Sequence, residues 1–260
     1  MRSIGVIGAG VMGEALISAL IKSGVSASSI SIHEKRAERA AELTRSYGVL
    51  SRDLESVAKH DVVLLVVKPQ DMADLLSSVT FGENSLLISF AAGKTTTFIQ
   101  SLSGRNRVIR VMPNTPTLVG EGMAAFSATD TVGGGDKNFV RGFLEAAGKV
   151  IEVPEHLQDA VTATSGSGPA YFFAFVEAMI DGAVTLGLSE SDATTLTVQT
   201  LLGSARLLAE SGKSASTLRE NVTSPNGTTA AALASFKDSE LHEIVRRAMA
   251  AAHQRSQELA

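Results

Sequence analysis

The sequence predicts an α/β fold: an N-terminal doubly wound parallel sheet, then an all-helical second half, with the break near residue 155. Three observations carry this. Short apolar strands alternate with helical stretches through the first 155 residues, the pattern of a sheet covered by helices on both faces. A Gly-x-Gly-x-x-Gly turn directly follows the first strand. Beyond Pro154 only long helical periodicity remains.

The elements follow in order. Residues 4–7 read as a strand and 13–23 as a helix; 30–34 is a second strand and 35–47 a charged helix. Residues 62–67 form a nearly continuous apolar run, as expected of a strand buried on both faces of a parallel sheet. Strands at 86–89 and 108–112 flank a helix at 95–102, and 123–127 and 149–153 are further strands. In the second half, 170–186 is one helix, and Ser189 caps the next, which runs to about Glu210. A short helix ends near Asn221, and a last pair flanks Lys237 and Asp238. The domains are thus 1–155 and 156–260.

Composition removes several classes of function. The chain has 260 residues and a formal charge of −4, from 23 Lys and Arg against 27 Asp and Glu, which gives no general electrostatic basis for nucleic-acid binding. There is no Cys, so disulfides, thiolate metal sites and a Cys nucleophile are excluded. His33, His60, His156, His242 and His253 lack metal-ligand spacing, so no metal site is expected. No apolar run approaches the roughly 20 residues of a membrane span. Gly5, Gly8, Gly10, Gly13 and Glu14 interrupt the N-terminal apolar stretch, which reads as mature protein rather than a signal peptide. A cytoplasmic location is expected.

The chemistry is concentrated in a few loops. In Gly8-Ala9-Gly10-Val11-Met12-Gly13 the first Gly permits a tight turn, the second lets backbone approach a pyrophosphate, and the third packs helix against strand. Glu34 lies 21 residues after Gly13, near the spacing at which an acid holds a ribose diol; Lys35 and Arg36 beside it suit a 2′-phosphate. This leaves NAD and NADP both open. Val67-Lys68-Pro69-Gln70 and Met112-Pro113-Asn114-Thr115-Pro116 end strands on the rim where open α/β sheets bind ligands, and Asn114 is framed to present its amide. Ser165-Gly166-Ser167-Gly168 and Ser224-Pro225-Asn226-Gly227-Thr228-Thr229 each open a helix with small residues that bare N–H groups, an anion site or simple capping. Tyr171, Phe172, Phe173, Val176, Ile180 and Val184 leave the first long helix apolar on more than one face, which predicts a subunit interface.

Taken together, these segments resemble the pyrroline-5-carboxylate reductase family over essentially the whole chain and in the family's order. The loop Thr223-Ser224-Pro225-Asn226-Gly227-Thr228-Thr229 is the most specific part of the likeness. The resemblance implies a Rossmann domain followed by a helical dimerisation domain, and reduction of 1-pyrroline-5-carboxylate to L-proline by NADPH or NADH. It implies an active site between the domains, completed across a homodimer, with dimers assembling further. Val66, Val67, Lys68, Pro69, Ala91, Ala92 and Gly93 would touch the nicotinamide half, with Met112, Pro113 and Asn114 nearby. Ser167, Ser224, Asn226, Gly227, Thr228 and Thr229 would serve the substrate, with Thr229 the catalytic choice. Asn226 stands where many members have Gly, and Thr164 where an apolar residue is common. Asp53 stands where an Asn often lies near the adenosine ribose; with Glu34 it argues against a strict NADPH preference. Two other readings are a β-hydroxyacid dehydrogenase-type reductase and a non-catalytic dinucleotide-binding protein. The first needs a Lys on the interdomain helix, and none follows Gly168 there. The second has no need of the substrate loop.

Overall fold

The structure is a computed structural model describing residues 2–259. Its first part carries eight strands: β1 (Ile4–Ile7), β2 (Ile30–His33), β3 (Leu50–Ser51), β4 (Val62–Leu65), β5 (Leu86–Ser89), β6 (Val108–Met112), β7 (Gly122–Ala128) and β8 (Gly148–Glu152). They form one sheet in the order β3-β2-β1-β4-β5-β6-β7-β8. The interleaved helices are α1 (Val11–Lys22), α2 (Ala37–Tyr47), α3 (Leu54–Ala58), α4 (Met72–Ser78), α5 (Thr96–Ser103) and α6 (Gly134–Glu145).

Alternation along the strands explains the two-sided burial. Val62 and Leu64 join one apolar cluster with Leu86, Ile88, Leu16 and Leu20, whereas Val63 and Leu65 join the opposite one with Leu87, Met72 and Ile99. Each central strand therefore feeds two cores, and an unbroken apolar run is what that requires. The sheet departs from all-parallel at one point. β7 runs antiparallel to β6, and β8 is parallel to β7. Only residues 113–121 join β6 to β7, which is too short for a parallel crossover. β3, two exposed residues long, carries no apolar signal and is not predicted by sequence periodicity.

The rest is helical: α7 (Gln158–Val161), α8 (Gly168–Thr185), α9 (Glu190–Glu210), α10 (Ala215–Asn221), α11 (Thr228–Asp238) and α12 (Leu241–Glu258). Contacts divide the chain into two compact units, one running to Pro169 and including the residues from Ala251 on, the other Ala170–Ala250. Residues 156–169 thus stay with the sheet, beyond the break read from the pattern at 155. The Gln158 amide donates to Ser127 Oγ, and Asp159 pairs with Arg110, so polar bonds to strands β7 and β6 hold the segment there.

Candidate functional site

The glycine turn is built as its spacing predicts. Gly8 has φ +92°, and a Cβ there would lie 2.7 Å from the Val66 carbonyl oxygen, so only glycine fits without strain. A Cβ on Gly13 would strike the Gly8 carbonyl. Gly10 differs, because no atom lies within 4 Å of where its side chain would stand. It caps α1 without a side-chain partner. The first N–H groups of the helix are therefore left for a ligand, at the positive end of the helix dipole. A groove of about 760 Å³ opens beside the turn, lined by Gly8, Gly10, Glu34, Arg36, Val66 and Lys68 among others. β4 stops at Leu65, two residues short of the apolar run, which leaves Val66 and Val67 on this rim.

Glu34 sits at the end of β2 with its side chain only 9% exposed. Its Oε2 accepts from the Ala9 N–H at 3.1 Å, and its Oε1 from the Arg36 N–H and Nε at 3.1 and 3.0 Å. Burial acts to raise its pKa, but these hydrogen bonds and the Arg36 charge outweigh it and hold the carboxyl below its ordinary range. Lys35 lines the same groove. Asp53 caps α3, accepting from Ser56 N–H and Oγ, and those two bonds hold its carboxyl low.

Two supports of the rim escape a reading of motifs. Arg39 donates to the Ala9 carbonyl and pairs with Glu14, which also accepts from Tyr47 at 3.0 Å. The turn is thus tied to α2. The second support is Arg110, in the middle of apolar strand β6 and 3% exposed. It pairs with Asp159 at 3.1 Å and Glu155 at 3.8 Å. Glu155 accepts from Thr96 N–H and Oγ1 at 2.6 and 2.5 Å, and Ser256 Oγ donates to Asp159 at 2.8 Å. This hub brackets the loop of Ala91, Ala92 and Gly93. Gly93 has φ +75°, and a Cβ there would lie 2.8 Å from the Ser256 carbonyl oxygen. A charge inside an otherwise apolar strand was the available signal.

Other segments serve differently from what their sequence suggests. The Asn114 amide is engaged within the chain: Oδ1 accepts from the Met123 N–H at 2.8 Å and Nδ2 donates to the Ser165 carbonyl at 3.1 Å. It fixes the loop of Met112 and Pro113 rather than offering itself to a ligand. Ser167 does not open a free helix end. A π-helical turn over Thr162–Gly166 joins α7 to α8, and the Ser167 N–H donates to the Thr162 carbonyl at 2.8 Å. The wider turn accommodates Pro169, which lacks an N–H.

The second glycine-and-hydroxyl loop is a true helix start. Asn226 takes φ +59°, a conformation open to Asn but easiest for Gly. The Gly227 N–H closes a turn onto the Ser224 carbonyl, and Gly227 caps α11 with no side-chain bond. The N–H groups of Thr228 and Thr229 lie in the first turn of the helix, where the backbone supplies no partner. Thr229 is half-buried and Thr228 exposed. Among the described residues no group of three or more His, Asp or Glu side chains is placed to hold a metal ion, and no helix is long and apolar enough to cross a membrane.

A glycine turn opening α1 at the carboxyl rim of a mostly parallel sheet, followed by a helical unit, defines a Rossmann-type dinucleotide-binding protein. The chain belongs to the pyrroline-5-carboxylate reductase family. A profile described as pyrroline-5-carboxylate reductase dimerisation matches residues 155–259, and one described as NADP oxidoreductase, coenzyme F420-dependent, matches residues 3–93. The pyrroline-5-carboxylate reductase of Corynebacterium melassecola is 40% identical, over 100% of this chain and 99% of that one. That of Haemophilus influenzae is 41% identical, over 99% and 97%. Among solved structures, a pyrroline-5-carboxylate reductase from Coxiella burnetii superposes with TM-score 0.90 at 34% identity, over 100% of this chain and 98% of that one. A Plasmodium falciparum pyrroline carboxylate reductase with NADP bound gives 0.88 at 29%, over 99% and 98%.

Proposed function

We propose that this chain reduces 1-pyrroline-5-carboxylate to L-proline with NADH or NADPH. The observation that carries this reading is the full-length likeness, at 40% and 41% identity, to proteins named for that reaction. The groove beside Gly8 and Gly10 supports it, being large enough to take an elongated cofactor and lined by backbone suited to phosphate. In this reading the turn from Gly8 to Gly13 holds the pyrophosphate, and Glu34, Lys35, Arg36 and Asp53 attend the adenosine end. Val66 to Pro69, Ala91 to Gly93, and the backbone of Met112 to Asn114 attend the nicotinamide end. The bound dinucleotide supplies the hydride.

The chain's own task is then to hold a small anionic ring. The N–H groups of Thr228 and Thr229, in the loop of Ser224, Asn226 and Gly227, take the substrate carboxylate at the start of α11, and Ser167 contributes a hydroxyl. The imine nitrogen is basic enough to arrive protonated, so the chain supplies no strong acid. The Thr229 hydroxyl orients the ring and stabilises its nitrogen by hydrogen bonding. We assign residues 1–155 to cofactor binding and 156–260 to substrate binding and dimerisation. The protein is a homodimer whose dimers assemble further, working in the cytoplasm. The test is an assay of the purified chain. Reduced-nicotinamide absorbance falls only when 1-pyrroline-5-carboxylate is added, and L-proline accumulates. No oxidation with either cofactor would overturn the reading.

A further inference from the structure

We propose that Glu34 makes this chain prefer NADH to NADPH, by accepting from the adenosine ribose diol and repelling a 2′-phosphate at the same place. The inference rests on the dinucleotide reading of the groove given above. Three features carry it. Glu34 stands at the end of β2 on the wall of the groove that also holds Gly8 and Gly10, where an acid meets the ribose in NAD-binding folds. Its carboxylate is fixed rather than free, since the Ala9 and Arg36 N–H groups and the Arg36 guanidinium hold both oxygens. It keeps acceptor capacity beyond these three bonds, because an ionised carboxyl has about four lone-pair sites.

The third feature concerns the cations. Arg36 is the guanidinium bonded to this acid, and its charge would otherwise serve a 2′-phosphate. Here its Nε donates to Glu34 at 3.0 Å, so the carboxylate offsets part of that charge. Lys35 and the terminal N–H groups of Arg36 then meet a dianionic phosphate with the fixed carboxylate beside them. Ribose hydroxyls donate to a carboxylate, whereas phosphate oxygens only accept. The same carboxylate therefore attracts one cofactor and repels the other.

The experiment is a fluorescence titration of the purified intact chain with NADH and with NADPH, alongside kcat/KM for each. The wild type should bind NADH about tenfold or more tightly than NADPH, in line with one charge-assisted hydrogen bond gained against its loss. Glu34→Gln keeps the side-chain shape, removes the charge and releases Arg36. It should move the NADPH-to-NADH affinity ratio at least tenfold towards NADPH. Equal or tighter NADPH binding by the wild type would overturn the inference and leave the dinucleotide reading standing. So would an unchanged ratio in folded Glu34→Gln. Failure of the wild type to bind either dinucleotide would overturn the dinucleotide reading, and this inference with it.

Discussion

The two units are built on opposite terms. The sheet unit buries two continuous apolar layers, one on each face, and its central strands are closed to water on both sides. The helical unit buries almost nothing of its own. Among residues 170–250 only Ala193 and Thr197 are buried, while Phe172 and Phe173 are 60% and 61% exposed, and Leu196, Leu202 and Leu207 lie open too. An apolar surface of this extent is not a stable end state in water. The sheet unit closes its core within one chain; the helical unit leaves its apolar faces open, as a surface for oligomer contacts would. Its match to a dimerisation domain agrees with that.

The comparison can be broken at its firmest point first. Arg110→Met leaves Asp159 and Glu155 without their cation beside the sheet, and removing one member of a buried ion pair costs roughly 3–5 kcal/mol. Urea unfolding followed by circular dichroism should show a loss of that order. A change below about 1 kcal/mol would mean that the hub does not hold the sheet unit together. On the other side, replacing Ile180 and Val184 together by Glu should convert the assembly to monomers or aggregates in sedimentation. A native assembly with both charges present would refute the assigned interface.

Smaller effects separate fold from function within the sheet unit. Gly8→Ala forces a Cβ against Val66 and a left-handed backbone, at a cost of about 1–3 kcal/mol, so melting temperature and dinucleotide binding should both fall. Gly10→Val meets open space. It should leave melting unchanged and weaken dinucleotide binding, and unchanged affinity would mean that the ligand does not approach Gly10. Thr229→Val deletes one hydroxyl in the helical unit. Turnover should fall about tenfold, within the range of one lost hydrogen bond, with cofactor affinity intact; full turnover in the folded variant would remove Thr229 from the mechanism.

The sequence made the sheet unit readable, because two-sided strands and a glycine turn leave local signatures. Residues 62–67 and Gly8 to Gly13 needed no partner to be interpreted. At Asn114 and Ser167 the local pattern suggested groups open to a ligand, whereas the Asn114 amide and the Ser167 N–H are engaged within the chain. Their bonds run to Met123, Ser165 and Thr162, partners that sequence spacing does not reveal. Arg110, Glu155, Asp159 and Ser256 went unread because their meeting is purely tertiary. The loop from Thr223 to Thr229 was legible through its likeness to a family, and its local geometry, with Asn226 at positive φ before an uncapped helix start, shows why Gly or Asn suits position 226.

The claim that the helical unit is finished by a second copy is tested most directly by the mass of the intact wild-type protein in solution. One chain is 27.1 kDa. Light scattering at micromolar concentration should give twice that mass or a higher even multiple. A folded, soluble 27.1 kDa monomer across that range would contradict the account.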